Sequence, residues 1–480
     1  MMRKAALCCS AVFFVLLVFA GCGRFPGNGV SSGPITAPFS MTLTDTPPAG
    51  VTVLFFQLSV TGAVLQPGNV SLINASNPIP VELTQLQTQA TFLSSVKVPA
   101  GNYTSLSVTF ANPTLTILNQ TGGAIGTCAN GAVCQLTPSL SPMMVSFSAP
   151  PLPITVTQNV PAGFELDMNL TNIIQSDLTL NLAAANAVTL VQLPSVALTS
   201  ELQSLEDVLG IVQTVGTNQF TMKTGNGLSL TISTDNNTVF NFANCAANNF
   251  SCIVAGQILE VDLSLLGNGS FLAKRIDFQD AAASQIAQGT IVSITSPTQF
   301  KMVVHQELPT IANLAAGDLA TVNLQTGTPG TTFQIDAKGL TLSAGLSFAS
   351  STDLVVGQEV QVRVVGTPVA GPPITFSTNR IALHRSRFTA QVFMINIPNA
   401  SFTVNNLPPI FPNALPTPIN EIQVLTSSTT EFENLTPASL AGLAAGNNVS
   451  VEGLLFNTIL STGFPTMEDN KVRGRPVTGP

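Results

Sequence analysis

Three short landmarks recur in the same order, three times, along the C-terminal part of the chain. An apolar opening from Gly210 to Phe220 returns from Gly289 to Phe300 and, more loosely, from Gln391 to Phe402. A second landmark, Ala255-Gly256-Gln257-Ile258-Leu259-Glu260-Val261, returns at Val356-Gly357-Gln358-Glu359-Val360-Gln361-Val362 and at Ala445-Gly446-Asn447-Asn448-Val449-Ser450-Val451. The third, Ala273-Lys274-Arg275-Ile276, returns at Thr378-Asn379-Arg380-Ile381 and Asp469-Asn470-Lys471-Val472. An ordered triple recurrence restricts this part of the chain to three copies of one supersecondary plan. The copies span 208–280, 285–386 and 388–476, each long enough for its own core, so they read as beads rather than as a thin-repeat solenoid.

Composition sets what the copies are made of. Only 8% of residues are charged, against about a quarter in an ordinary globular chain. Lys and Glu, the usual helix-surface residues, are scarce, whereas Thr, Val, Ile and Phe favour strands. The chain is therefore expected to be all-β with neutral-polar solvated faces. Each copy opens as a hairpin with a polar turn, and a small antiparallel barrel would hide the sheet edges that a chain so poor in charge cannot protect with gatekeepers. Between the N-terminal unit and the copies, Ser200 to Val208 reads as one short helix.

The N-terminal unit, 39–198, opens with the alternating run Ser40-Met41-Thr42-Leu43-Thr44-Asp45-Thr46-Pro47. It continues with Val51 to Leu65, Val81-Glu82-Leu83-Thr84-Gln85-Leu86, the turn Pro99-Ala100-Gly101-Asn102-Tyr103, and Phe164-Glu165-Leu166-Asp167-Met168. Apolar and polar residues alternate in the last of these, as in a half-buried strand. In this order the elements resemble the domain-of-unknown-function family 4382 of bacterial envelope lipoproteins. That resemblance implies a β-sandwich and no catalytic residue. The three copies resemble the domain-of-unknown-function family 5666, which implies small OB-like barrels.

Residues 1–21 carry Arg3 and Lys4, a 16-residue apolar run from Ala5 to Ala20, and Gly21 before Cys22. The run is short of the roughly 20 residues that cross a bilayer. It resembles a lipoprotein signal peptide, with Val18-Phe19-Ala20-Gly21-Cys22 as the lipobox. That resemblance implies cleavage before Cys22, lipidation of its sulfur and, because Gly23 follows, an outer-membrane destination. Residues 22–38 are rich in Gly and Pro and read as a flexible tether. Four cysteines remain after Cys8, Cys9 and Cys22, as the close pairs Cys128/Cys134 and Cys245/Cys252. Export would oxidise them, so two short-loop disulfides are expected, each contributing about 2 kcal/mol. A zinc site fits less well, since five and six residues separate the pairs, where zinc sites favour two to four.

Function classes are excluded more readily than assigned. The formal charge of −8 becomes −10 once Arg3 and Lys4 are removed, which opposes a phosphate backbone, so no nucleic-acid partner is expected. The chain has two histidines, His305 and His384, and each reads as a surface or strand residue. Ser94-Ser95-Val96-Lys97 and Lys223-Thr224-Gly225 match two signatures of penicillin-binding enzymes. The first, however, reads as a strand, the second as a hairpin turn, and they fall in different units. Glu165 and Asp167 share a strand face at roughly 7 Å, a spacing known from inverting glycosidases. The chain lacks Trp and has a single Tyr, so no sugar-stacking platform accompanies them. Asp235-Asn236-Asn237 reads as a turn before it reads as a calcium loop. The charges of Lys274-Arg275 and of Arg385 and Arg387 read as isolated solvated positions. The resulting expectation is a lipid-anchored cell-envelope protein held at the membrane through Cys22. It has a structural or protein-interaction role, an envelope protein as partner, no catalysis, no cofactor and no metal. The alternative is a lipoprotein that binds a small ligand or an ion in a pocket.

Overall fold

The computed structural model describes residues 35–46, 52–414, 417–460 and 463–475. The stretch read as a signal peptide, Cys22 and most of the expected tether lie outside the described residues. From Thr36 onward the chain forms one compact unit, nearly all of it β-structure.

Residues 36–195 form a sandwich of two sheets. In one, the first strand, Thr36–Thr46, lies between the antiparallel Thr91–Pro99 and the parallel Ala162–Asn169. Its opening residues Thr36, Ala37 and Pro38 therefore belong to the sheet rather than to the tether. The other sheet centres on the long pair Thr52–Gln66 and Ser105–Leu118. Alternation does the sorting: Phe164, Leu166 and Met168 are fully buried between the sheets, while Glu165 and Asp167 lie on the outer face. Ser94 and Lys97 both sit on the strand Thr91–Pro99. There, successive side chains splay to opposite faces instead of converging as they would on a helix.

The three copies are three five-stranded barrels of identical topology. In the first, the strands run Glu201–Val215, Gln219–Thr224, Ser229–Ser233, Ile258–Leu266 and Phe271–Asp280. The third pairs with the fifth to close the ring. The second barrel uses Ile286–Ser296, Gln299–Leu308, Leu319–Leu324, Glu359–Val369 and Ile374–Asn396 in the same order. The third barrel begins with the far half of that last strand, 23 residues long, and continues through Ser401–Asn405, Ile422–Leu425, Asn448–Ile459 and Pro465–Arg475. The expectation of antiparallel barrels needs one amendment, because each closing pair is parallel. A ring of five strands joined in this order cannot close with antiparallel pairs alone.

The landmarks have physical jobs. Phe220, Phe300 and Phe402 are core residues exposed by 1% or less. Gly256, Gly357 and Gly446 turn through φ of +88°, +89° and +88°, a region that residues with a Cβ avoid. The residue after each glycine then caps its own turn. Gln257 Oε1, Gln358 Oε1 and Asn447 Oδ1 accept the N–H of Val254, Val355 and Ala444 at 2.8, 2.8 and 2.6 Å. Ile276, Ile381 and Val472 are each fully buried on the closing strand. A fourth landmark was missed: Phe240, Phe333 and Phe432 lie opposite those three residues on short added strands.

Lys223 to Gly227 forms the expected hairpin turn. Asp235 Oδ1 accepts the N–H of Asn237 and Thr238 at 2.9 and 3.1 Å, an Asx turn. The helix expected at Ser200–Val208 is a strand instead. Leu202, Leu205 and Leu209 are spaced as on a helix, but pairing with Ile258–Leu266 overrides the spacing, and two bulges absorb the mismatch. Cys128 and Cys134 stand at disulfide distance with Cα atoms 5.8 Å apart, and Cys245 and Cys252 likewise at 5.9 Å.

Candidate functional site

Each barrel has its own apolar core, yet the few charges of the chain gather where the four units meet. This junction is the candidate site. The second half of the loop 83–90 of the sandwich brings Thr88 and Gln89 into it. The first barrel supplies Glu206, Asp207 and Glu260, the second Asp336 and Lys338, and the third Glu452 and Lys471. The strand shared by the last two barrels adds His384, Arg385 and Arg387.

Local backbone features aim these side chains inward. Asp207 occupies a bulge of Glu201–Val215 at φ +58°, a conformation that Asp tolerates better than most residues. Lys338 sits at φ +45°, and Gly339 follows at +84°. A Cβ on Gly339 would come within 2.8 Å of the Arg275 guanidinium. The tight loop thus drops Lys338 between Glu260 and Asp207, with its ammonium bonded to both. Arg387 donates to Asp207 and, at 3.3 Å, to Glu452. Arg385 reaches Glu452 at 3.4 Å. Glu452, fully buried, also accepts from Thr88 and from Gln89 Nε2 at 3.3 Å. Lys471 pairs with Glu206 at 2.9 Å.

The carboxyls in this network divide by how many cations they touch. Burial acts to raise Asp207, but Lys338, Arg387 and Arg385 outweigh it and hold the group well below the usual range. Glu452 is also held low, by Arg387 and Arg385 against its burial. Glu206 and Glu260 have fewer cationic neighbours, and burial pushes them up to about 7 and about 8. The network holds more carboxyls than cations, so part of its negative charge is neutralised by protons rather than by ion pairs.

Beside the network lies a cleft of about 180 Å³ between the sandwich and the first two barrels, lined by Glu82, Leu86, Phe92, Leu205, His305 and Glu359 among others. Its polar end is well defined. The Thr290 hydroxyl bridges His305 Nε2 and Glu359 Oε2, at 2.8 Å each. Glu82 accepts from the N–H groups of Phe56, Thr84 and Gln85 at 3.0 to 3.2 Å. Burial pushes Glu359 up to about 8 and His305 down to about 3. His305 Nδ1 faces Glu82 at 3.8 Å. Neither it nor Glu359 Oε1 has a hydrogen-bond partner among the described residues.

Several expectations are corrected here. His305 and His384 do lie on strands, but both are buried, at 6% and 1% exposure. Arg385 and Arg387 are not solvated; they are the buried cations of the network. Arg275 is paired with Asp277 at 2.7 Å, and the half-exposed Lys274 with Glu201 at 2.8 Å. Glu165 and Asp167 do share a strand face, where Gln203 donates to Glu165 at 3.1 Å. The signal that could have found the junction was the run His384-Arg385-Ser386-Arg387 itself. A chain with so few charges has little reason to place three ionisable residues on one strand unless partners await them.

The architecture thus defines a class, a nearly all-β chain in which a sandwich and three barrels surround a shared polar interior. Residues 36–195 match the family model Domain of unknown function (DUF4382), and 210–277 and 396–460 match Domain of unknown function (DUF5666). This is the order in which the sequence landmarks resemble the two families. No curated protein matches the chain.

Proposed function

We propose that the protein is a lipid-anchored component of the cell envelope, tethered at the outer membrane through Cys22, with a structural and protein-binding role. The observation that carries the binding role is an apolar tip on the third barrel. Phe393, Met394 and Ile397, at the hairpin between Ile374–Asn396 and Ser401–Asn405, are 52%, 52% and 63% exposed. On a surface so poor in charge, adjacent exposed apolar side chains suit a polypeptide partner. Anchoring is supported by the signal peptide and by the start of the compact unit at Thr36, shortly after the modified cysteine. Radiolabelled palmitate should enter the wild-type chain and not Cys22→Ser, which should leave the membrane fraction. Affinity capture from crosslinked envelopes should recover one defined polypeptide, lost with Phe393→Ser/Met394→Ser. Unchanged recovery with that variant would remove the tip from the account.

A second reading, in which the protein holds a small ligand, is favoured by the cleft. Its apolar wall and its Glu82–His305–Glu359 end suit a small molecule with one cationic or hydrogen-bonding group.

A further inference from the structure

We infer that Glu260, Asp336 and His384 form a binding site for one divalent first-row transition-metal ion, at the seam between the first and second barrels. One carboxylate oxygen of each acid and one ring nitrogen of His384 all lie within 4.8 Å of one another. The imidazole stands between the two acids, with Nδ1 3.9 Å from Glu260 Oε2 and Nε2 3.7 Å from Asp336 Oδ2, so one of these nitrogens serves as the ligand. Metal–ligand bonds of roughly 2.0–2.2 Å need donors roughly 3.0–3.6 Å apart, so donors as much as 4.8 Å apart must close by roughly 1 to 2 Å. Asp336 can supply that movement, because it stands in the loop just after Thr332–Ile335. It is also the most exposed of the three, with 11% of its side chain accessible against 2% and 1%, and so marks the route of entry.

An independent observation concerns the imidazole. His384 is 1% exposed, and neither ring nitrogen has a hydrogen-bond partner among the described residues. Buried polar groups are nearly always satisfied, and an exception of this kind asks for a bound partner. Lys338 does not fill the need. Its ammonium holds Glu260 Oε1 and Asp207, leaving Glu260 Oε2 and Asp336 Oδ2 to a single neutral donor, the Gln279 amide nitrogen, at 2.9 Å from each. A neutral group thus bridges two carboxylates where a cation would be held more strongly. Turning the Gln279 amide would offer its oxygen as a fourth ligand. Gln361 donates to that oxygen at 3.2 Å and so holds the amide in its present orientation, with the nitrogen toward the two acids. The donor set of one imidazole and carboxylate oxygens suits zinc, manganese, iron or cobalt, and an imidazole ligand disfavours calcium and magnesium. No spacing in the sequence marks the site, since its three ligands come from separate stretches of chain.

The test uses the full-length mature chain without a histidine tag, stripped with a chelator and then titrated with Co²⁺ or Zn²⁺. Elemental analysis should find one ion per chain, Co²⁺ should develop visible absorption that Zn²⁺ quenches, and Ca²⁺ at equal concentration should not compete. The affinity should fall at least about tenfold in His384→Asn, Glu260→Gln and Asp336→Asn, while Glu307→Gln stays at wild type. The chain has two histidines, so the imidazole can be assigned: pulsed EPR of the Cu²⁺ complex should show one coupled imidazole nitrogen, absent in His384→Asn. Should a junction variant unfold, the wild-type stoichiometry, the Co²⁺ spectrum and the loop variant Asp336→Asn still decide. A stripped chain that takes up no ion, or an imidazole signal that survives His384→Asn, overturns the assignment.

Discussion

The barrel cores and the junction they surround are built on opposite terms. A barrel core is filled by Phe, Ile, Val and Leu, contributed at equivalent positions in each copy, and stabilised by burial that has no direction. The junction is filled by side chains that are stable inside only while their partners are present. Apolar cores fail gradually, in proportion to the volume removed, whereas an ionic network fails at the loss of one member. The sharpest way to break this comparison is Arg387→Met, which keeps most of the side-chain volume but leaves Asp207 and Glu452 short of a shared cation. It should cost about 3–5 kcal/mol in denaturant unfolding. It should also loosen all four units together, read as lost hydrogen-exchange protection in the sandwich as well as in the barrels. A loss confined to the third barrel would show that the junction does not couple the units.

Removing the Cys245–Cys252 bridge with Cys245→Ser/Cys252→Ser should cost about 2 kcal/mol, again by denaturant unfolding. Unlike the loss of Arg387, this acts on one local loop of the first barrel, so protection should fall there alone. Smaller still is the effect of removing one methyl group from equivalent core positions. Ile276→Val and Ile381→Val should each cost about 1 kcal/mol, and similar values in the two barrels would show that the repeated landmark has the same packing role in both. Unequal values would mean that the copies have diverged in packing while keeping their topology.

The same contrast explains what could be read from the sequence. The all-β class followed from composition, and the three barrels from landmarks whose Phe, Gly and Ile or Val positions are fixed by core packing and turn geometry. These are local constraints, and local constraints leave local marks. The junction leaves little beyond the run from His384 to Arg387, because its members are joined across the fold: Thr88 meets Glu452, and Lys338 meets Asp207. Alternation also fails there as a guide, since His384, Arg385 and Ser386 are buried and only 4% of the Arg387 side chain is accessible, on both faces of the strand. The helix expected at Ser200–Val208 failed for a related reason: the bulge that disturbs its strand periodicity is the one that turns Asp207 inward. As for the cleft, His305 reads in the sequence as a lone residue, because Glu82 reaches it from the sandwich and Glu359 from a distant strand of the second barrel.

The least conspicuous effect, a dependence on pH, separates junction and cleft from the apolar cores most cleanly, since the cores have nothing to titrate. Burial raises Glu82 to about 7 and Glu359 to about 8, from ordinary values of 4.5. A carboxyl raised in the folded state contributes stability that is complete below about 4.5 and is lost as the pH rises through the folded value. The buried histidines work the other way. His305 and His384 are pushed down to about 3 and about 4 from 6.5, so their contribution is complete above 6.5 and is lost as the pH falls toward those values. Below 6.5 the two trends oppose each other, while between about 6.5 and 8 the carboxyls titrate with no opposition from the histidines. The melting temperature should therefore decline gently as the pH rises across that window. In Glu359→Gln, where the side chain has no proton to lose, the slope should flatten while the value at pH 6.5 changes little. A melting temperature that stays flat from pH 6.5 to 8 would mean that these carboxyls are already ionised in the folded chain.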